Sequence, residues 1–188
     1  MTASEVVASP VQEQIEDLKQ RLAALESRAP ERTSNKATIV VLSGDMEKVM
    51  SAYIIATGAA SMGMDVTLFF TFWGLGALKK KRSLKGKSLL QSMMTLMTPA
   101  GMRGLGTSKF NFGGLGPVMF GAMMRRSNVA SLEEIAELAR ELGVREVACT
   151  MTMDVMGVSK DELLPFVEFG GVGMFVGEAA DSKIQLYI

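Results

Sequence analysis

Ala37-Thr-Ile-Val-Val-Leu42, then Ser43-Gly-Asp45, then a helical pattern from Met46 to Met62, then Val66-Thr-Leu-Phe-Phe-Thr71: this stretch decides the fold. Its first and last runs are short, continuous and rich in β-branched and aromatic residues, the type buried on both faces of a parallel sheet. Between them Val49, Met50, Tyr53, Ile54, Ala56 and Ala60 make a broad apolar helical face, which Gly63 stops. Strand, helix and strand form one βαβ unit, whose crossover is right-handed.

The alternation resumes downstream. Ser131-Leu-Glu-Glu reads as a helix start, with Ser131 as N-cap and Glu133 and Glu134 suited to the positive end of the helix dipole. Leu132, Ile135, Leu138, Ala139 and Leu142 supply its apolar stripe and Gly143 its stop. Arg145 to Thr150 is a third strand, carrying Cys149. Ser159 to Leu164 is a short capped helix, Phe166 to Phe169 a brief strand, and Gly171 to Ala180 a helix with its stripe at Val172, Phe175, Val176, Ala179 and Ala180. Ile184 to Ile188 is the last strand. Five strands alternating with helices predict a three-layer α/β/α domain over 36–188 with a mostly parallel sheet.

Upstream, 1–10 reads as a disordered tail, 11–29 as an amphipathic helix and 30–35 as a polar linker. Val11, Ile15, Leu18, Leu22 and Leu25 fall at heptad spacing on that helix, with polar residues on its other faces. The seam is too short to be stable alone. It suits either packing on its own domain or self-association in a homo-oligomer.

Composition excludes several classes. Lys plus Arg (20) balance Asp plus Glu (20), which removes any global pull toward nucleic acid. One cysteine cannot form an internal disulfide or a four-cysteine zinc site. Histidine is absent, so no Cys-His or Ser-His-Asp couple exists within the chain. Neither a dinucleotide fingerprint nor a P-loop occurs. No basic region leads into an apolar one at the N-terminus, which, with the cysteine usage, predicts a cytoplasmic protein.

Two central stretches stand apart. Lys79-Lys-Lys-Arg-Ser-Leu-Lys-Gly-Lys87 reads as a solvated loop, or as a docking patch for an acidic partner or for membrane headgroups. Lacking interleaved aromatics, it is a poor base-stacking surface. Residues 88–126 hold Met93, Met94, Met97, Met102, Met119, Met123 and Met124 around a Gly-rich middle. Helices over Leu89 to Met97 and Pro117 to Met124 are expected, joined by a mobile segment. Methionine suits surfaces that repack around partners, so this region is read as a lid or partner-binding flap near Cys149 or, together with the basic run, as a peripheral membrane contact.

The chemistry centres on Cys149. A cysteine inside a strand is by default a small buried apolar residue. This one lies near the strand's carboxyl end, where α/β folds place ligands. Thr150, Thr152 and Asp154 surround it, and a turn into a helix follows, able to offer N–H groups to a thiolate. A reachable thiol is therefore expected. Gly44, Asp45, Trp73, Thr150, Met151 and Asp154 are the candidate pocket residues, Trp73 serving as pocket wall or as packed core aromatic.

The segment Ala148-Cys-Thr-Met-Thr-Met-Asp-Val-Met-Gly157 resembles the signature of the DsrE/DsrF-like sulfur-carrier family, in its longer branch. Ile39-Val-Val-Leu-Ser-Gly-Asp45, Phe69-Phe-Thr-Phe-Trp-Gly74, Pro99-Ala-Gly-Met-Arg-Gly-Leu-Gly106 and Leu186-Tyr-Ile188 are similar to it as well, in the right order. The resemblance covers about residues 36–188. It implies a flavodoxin-like oligomeric domain with Cys149 carrying sulfane sulfur or thiosulfonate. Rhodanese-type and TusA-type proteins are the implied partners, and no cofactor is implied. Chemically, such a carrier needs one thiolate and no histidine. Two rivals stand beside it. One is a small-molecule-binding module with Cys149 as bystander. The other is a copper(I) site from Cys149, Met151, Met153 and Met156, soft ligands of suitable type.

Overall fold

The computed structural model describes residues 35–188, together with residues 12, 14–21, 23 and 24. These fall in two compact units, divided between residues 33 and 34. In the first unit the described residues are helical and exposed. Glu16–Lys19 (3.5 Å) and Asp17–Arg21 (2.9 Å) make helical-spacing ion pairs. Ile15 and Leu18 of the heptad seam face solvent. Val11, Leu22 and Leu25, the tail 1–10 and the linker before Asn35 lie outside the described residues.

The second unit holds β1 (Lys36–Val41), α1 (Met46–Ser61), β2 (Asp65–Phe70), α2 (Leu89–Met97), α3 (Leu115–Arg126) and α4 (Leu132–Glu141). There follow β3 (Arg145–Cys149), α5 (Thr150–Met156), β4 (Glu168–Gly170), α6 (Val172–Ala180) and β5 (Ile184–Tyr187). Single 3₁₀ segments occupy Phe72–Leu78, Met102–Gly104, Phe112–Gly114 and Lys160–Glu162. The expected short helix after Ser159 is thus one 3₁₀ turn. It keeps the cap, since Ser159 and Glu162 form a reciprocal box.

The strands run in the order β4-β3-β2-β1-β5, and every pairing is parallel. This is the three-layer architecture the sequence implies. The chain steps one way from β1 to β4, then returns across the sheet to place β5 beside β1. The direction therefore reverses at β1/β5, whereas the flavodoxin order 2-1-3-4-5 reverses at β1/β3. Right-handed crossovers in opposite directions put the returning helix, α6, on the other face from α1 and α4.

The core follows from the strand period of two. Ile39, Val41, Leu68, Phe70 and Ala148 face α1 and α4 and join Val49, Tyr53, Ala56, Ala136 and Ala139. Phe69, Val147 and Cys149 face α6. Tyr53 donates from its hydroxyl to Glu146 Oε1 (2.8 Å), which Arg140 also approaches at 3.0 Å. Burial lifts the Glu146 carboxyl above its ordinary value despite these bonds. The expected N-cap Ser131 closes a reciprocal box with Glu134, and Ser88 closes another with Gln91. Two expected stripes are only half covered. Leu138 of α4 and Leu142 just after it, and Val172 and Val176 of α6, are exposed: α4 buries Leu132, Ala136 and Ala139, and α6 packs through Met174 and Phe175.

Candidate functional site

Cys149 ends β3, and α5 begins at the next residue, with Cys149 as its N-cap (φ −69°, ψ 113°). The strand does not run on through the methionines. Its sulfur faces α6, being in step with Val147 and out of step with Ala148. Phe69, Met174 and Phe175 pack over it, the two phenylalanine rings 5.2 Å apart. Directly opposite in β4 stands Gly170, where a Cβ would collide with the Met174 sulfur.

The thiol is consequently 1% exposed, and the expectation of a reachable sulfur at the sheet edge is corrected. The reason is topological. The return from β4 to β5 lays α6 across the end of β3, a cover that residues adjacent to Cys149 in sequence do not reveal. The missed residues are Phe69, Met174 and Phe175. Their signal was the strand alternation together with the Gly170-Gly171 pair ahead of an apolar helix.

The remaining expected site residues divide into two groups. Thr150 lies beside the Gly170 carbonyl at 3.5 Å, Met151 projects from α5 into solvent, and the Asp154 carbonyl accepts from Gln91 Nε2 (3.2 Å). Met153 and Met156 are buried in the main core, on the other side of the sheet from Cys149. The copper set of Cys149, Met151, Met153 and Met156 is therefore not brought together. Nor is any group of three acidic or cysteine side chains placed to hold a metal among the described residues.

Gly44, Asp45 and Trp73 meet elsewhere, on a cavity of about 840 Å³ outside the carboxyl end of β1. Cys149, Thr150, Met151 and Asp154 do not line it. Trp73 is 51% exposed, a wall rather than a core aromatic. The Gly74 amide donates to the Leu42 carbonyl at 2.9 Å, and a Cβ at Gly44 would stand 2.8 Å from the Trp73 carbonyl. The loops after β1 and β2 thus touch backbone to backbone. Phe72, just before Trp73, is held at φ 44°, a left-handed conformation uncommon outside glycine. Asp45 accepts from Ser43 Oγ (2.8 Å) and pairs with Lys48 (2.8 Å). Burial opposes its ionisation, but these bonds outweigh it and hold the carboxyl below its ordinary value.

The basic run is less solvated than expected. Lys79 is 3% exposed, and burial pulls its ammonium below the ordinary lysine value against the attraction of Glu162. Lys87 Nζ pairs with Glu162 at 2.8 Å, both side chains buried, and also donates to Thr95 Oγ1. Lys81 reaches Asp161 at 2.9 Å. Arg82 donates to the Thr98 carbonyl (2.9 Å) and lines the cavity. Three of the lysines are thus engaged by the acidic residues of the 159–163 turn, while Arg82 tethers the loop to the end of α2 through a neutral carbonyl.

Residues 33–187 match the DsrE/DsrF/DrsH-like family. The chain belongs to that family. Among its relatives is an uncharacterized protein, YrkE, of Bacillus subtilis, 43% identical over 156 residues, covering 82% of this chain and 98% of the relative. Another is the sulfur carrier protein DsrE2 of Allochromatium vinosum, 36% identical over 157 residues and covering 81% and 98%. Among solved structures, the ychN protein from E. coli covers 81% of this chain and 98% of its own, at 13% identity and a TM-score of 0.46. Among the described residues of this family member, no helix is long and apolar enough to cross a membrane.

Proposed function

We propose that this DsrE-family chain is a sulfur-transfer protein whose Cys149 holds sulfane sulfur as a persulfide. The observation that carries the reading is the position of the chain's single cysteine, ending β3 and opening α5, in a family whose A. vinosum member is named a sulfur carrier. The Cys149 thiolate attacks the outer sulfur of a donor persulfide. The donor's S–S bond breaks, the donor leaves as a thiolate, and Cys149 retains the transferred atom in a new S–S bond. No net oxidation occurs, and no general base is required. With no second cysteine in the chain, the persulfide cannot discharge into an internal disulfide.

Burial sets the access route. α6 has no fully buried residue and contains Gly173 and Gly177, so it is the cover that lifts most easily. Rhodanese-type and TusA-type proteins are the proposed donor and acceptor. They would dock at α6, where Val172 and Val176 are exposed beside the cover of Cys149, rather than on the exposed row Leu89, Leu90, Met93, Leu96 and Met97 of α2, which packs with the core on the other face. A peripheral membrane contact through the same row and the 79–87 run is disfavoured by the charges that run commits to the fold, and liposome flotation tests it. Self-association through the N-terminal helix, with Ile15 and Leu18 exposed, completes the proposal.

The test is intact mass after polysulfide treatment. The wild type is expected to gain about 32 Da, one sulfur atom on the thiolate ladder, removable by cyanide and absent in C149S. An unchanged mass, or an adduct that survives C149S, contradicts the reading.

A further inference from the structure

We infer that the cavity beside Trp73 binds a small organic anion, with its charged head at Arg82 and a flat apolar body against Trp73. This inference does not depend on Cys149, which lies outside the cavity. Position, charge and shape of the cavity support it.

The first is position. The cavity is lined by Leu42, Ser43, Gly44 and Asp45, the residues that leave β1, and β1 stands where the strand order reverses against β5. In open parallel sheets ligands bind outside the carboxyl ends of strands at such a reversal. The second is charge. Lys48 is neutralised by Asp45 at 2.8 Å, and Arg103 by Glu133 at 3.1 Å. Arg82 bonds only the neutral Thr98 carbonyl and has no carboxylate partner among the described residues. The lining therefore carries one uncompensated positive charge on a planar guanidinium, which suits a carboxylate or phosphate oxygen pair. The third is shape. At about 840 Å³ the cavity is sized for a small molecule, and Trp73, Met97, Pro99, Leu105 and Val118 give it apolar walls. The backbone contacts at Gly44 and Gly74 fix the Trp73 loop in advance.

The experiment uses Trp73 as its own reporter, since it is the chain's single tryptophan. The full chain is titrated with benzoate and, in parallel, with the neutral isostere benzamide. Benzoate is expected to change Trp73 emission saturably, with benzamide binding at least about tenfold more weakly, as loss of a charge-assisted bond implies. Arg82→Gln should weaken benzoate by a similar factor. Because Arg82→Gln could also disturb the Thr98 tether, Val118→Glu provides an independent variant. It leaves Arg82 intact, alters an exposed wall position and places a repelling charge beside the ligand, so benzoate binding should be lost. Arg126→Gln, outside the cavity, should leave it unchanged. Equal binding of benzamide, or full affinity in both Arg82→Gln and Val118→Glu, overturns the inference. Polysulfide loading of Cys149 should proceed alike with and without benzoate, which separates failure of this inference from failure of the sulfur reading.

Discussion

On one face of the sheet, α1 and α4 press Val49, Tyr53, Ala56, Ala136 and Ala139 onto Ile39, Val41, Leu68 and Phe70. On the other, α6 is the covering helix among the described residues and lays Met174 and Phe175 over Phe69, Val147 and Cys149. The same strands feed both faces, and only the helices differ. A thick core of interlocked residues opens only when the whole domain unfolds, whereas a cover of one helix with no fully buried side chain opens locally. Cys149 sits under the thin cover. For the proposed carrier role this cover would keep the thiol from solvent and leave it reachable through a small motion.

Substitutions on the two faces should differ in what they cost. The largest effect is expected on the thick face, where Phe70→Ala should cost about 3–5 kcal/mol, a full aromatic truncation in a packed core. Urea unfolding followed by circular dichroism measures it. Phe175→Ala on the thin face should cost about 1 kcal/mol, since a half-covered ring leaves little cavity behind. Near-equal losses would erase the distinction.

Between these lies the clasp that joins the basic loop to the main body. Lys87→Met leaves the Glu162 carboxylate buried without its ion-pair partner and should cost about 3 kcal/mol. The smallest effect is a pH dependence of the same clasp. Hydrogen bonds from Ser159 and Lys81 lower Asp161 from 3.8 to about 2. Burial of Glu162 acts to raise its pKa, but the bonds from Lys87, Ser159 and Ser83 outweigh it and leave it below 4.5. Both carboxyls have folded-state values below their unfolded ones. Their contribution is present above about pH 4.5 and is lost as the pH falls through that value toward about 2. Stability measured against pH should fall across this window in the wild type and less steeply in Lys87→Met.

Local pattern and fold agreed in this chain wherever one element determined its own shape. The β-branched runs at 37–42 and 66–71, the caps at Ser88 and Ser131 and the helix at 89–97 are each specified by neighbours in sequence. Cys149 was legible as a strand end, and its burial was not, since Phe175 reaches it only through the crossover to β5. The basic run misled for a related reason. A charge run reads as solvated because nothing in it names Glu162, whose buried carboxylate draws Lys87 inward. Gly44, Asp45 and Trp73 line one cavity, with Arg82 and Pro99 rather than with Met151.

The central claim is that Cys149 is reached by local opening of α6. Its most direct test is the alkylation rate of Cys149 by iodoacetamide under native conditions, read by mass, in wild type, Phe175→Ala and Val49→Ala. Opening of α6 alone is expected to speed labelling about fivefold in Phe175→Ala, the factor for about 1 kcal/mol, while Val49→Ala, which weakens only the thick face, labels at the wild-type rate. Equal acceleration in both variants would mean that the thiol is exposed only by global unfolding, and would contradict the claim.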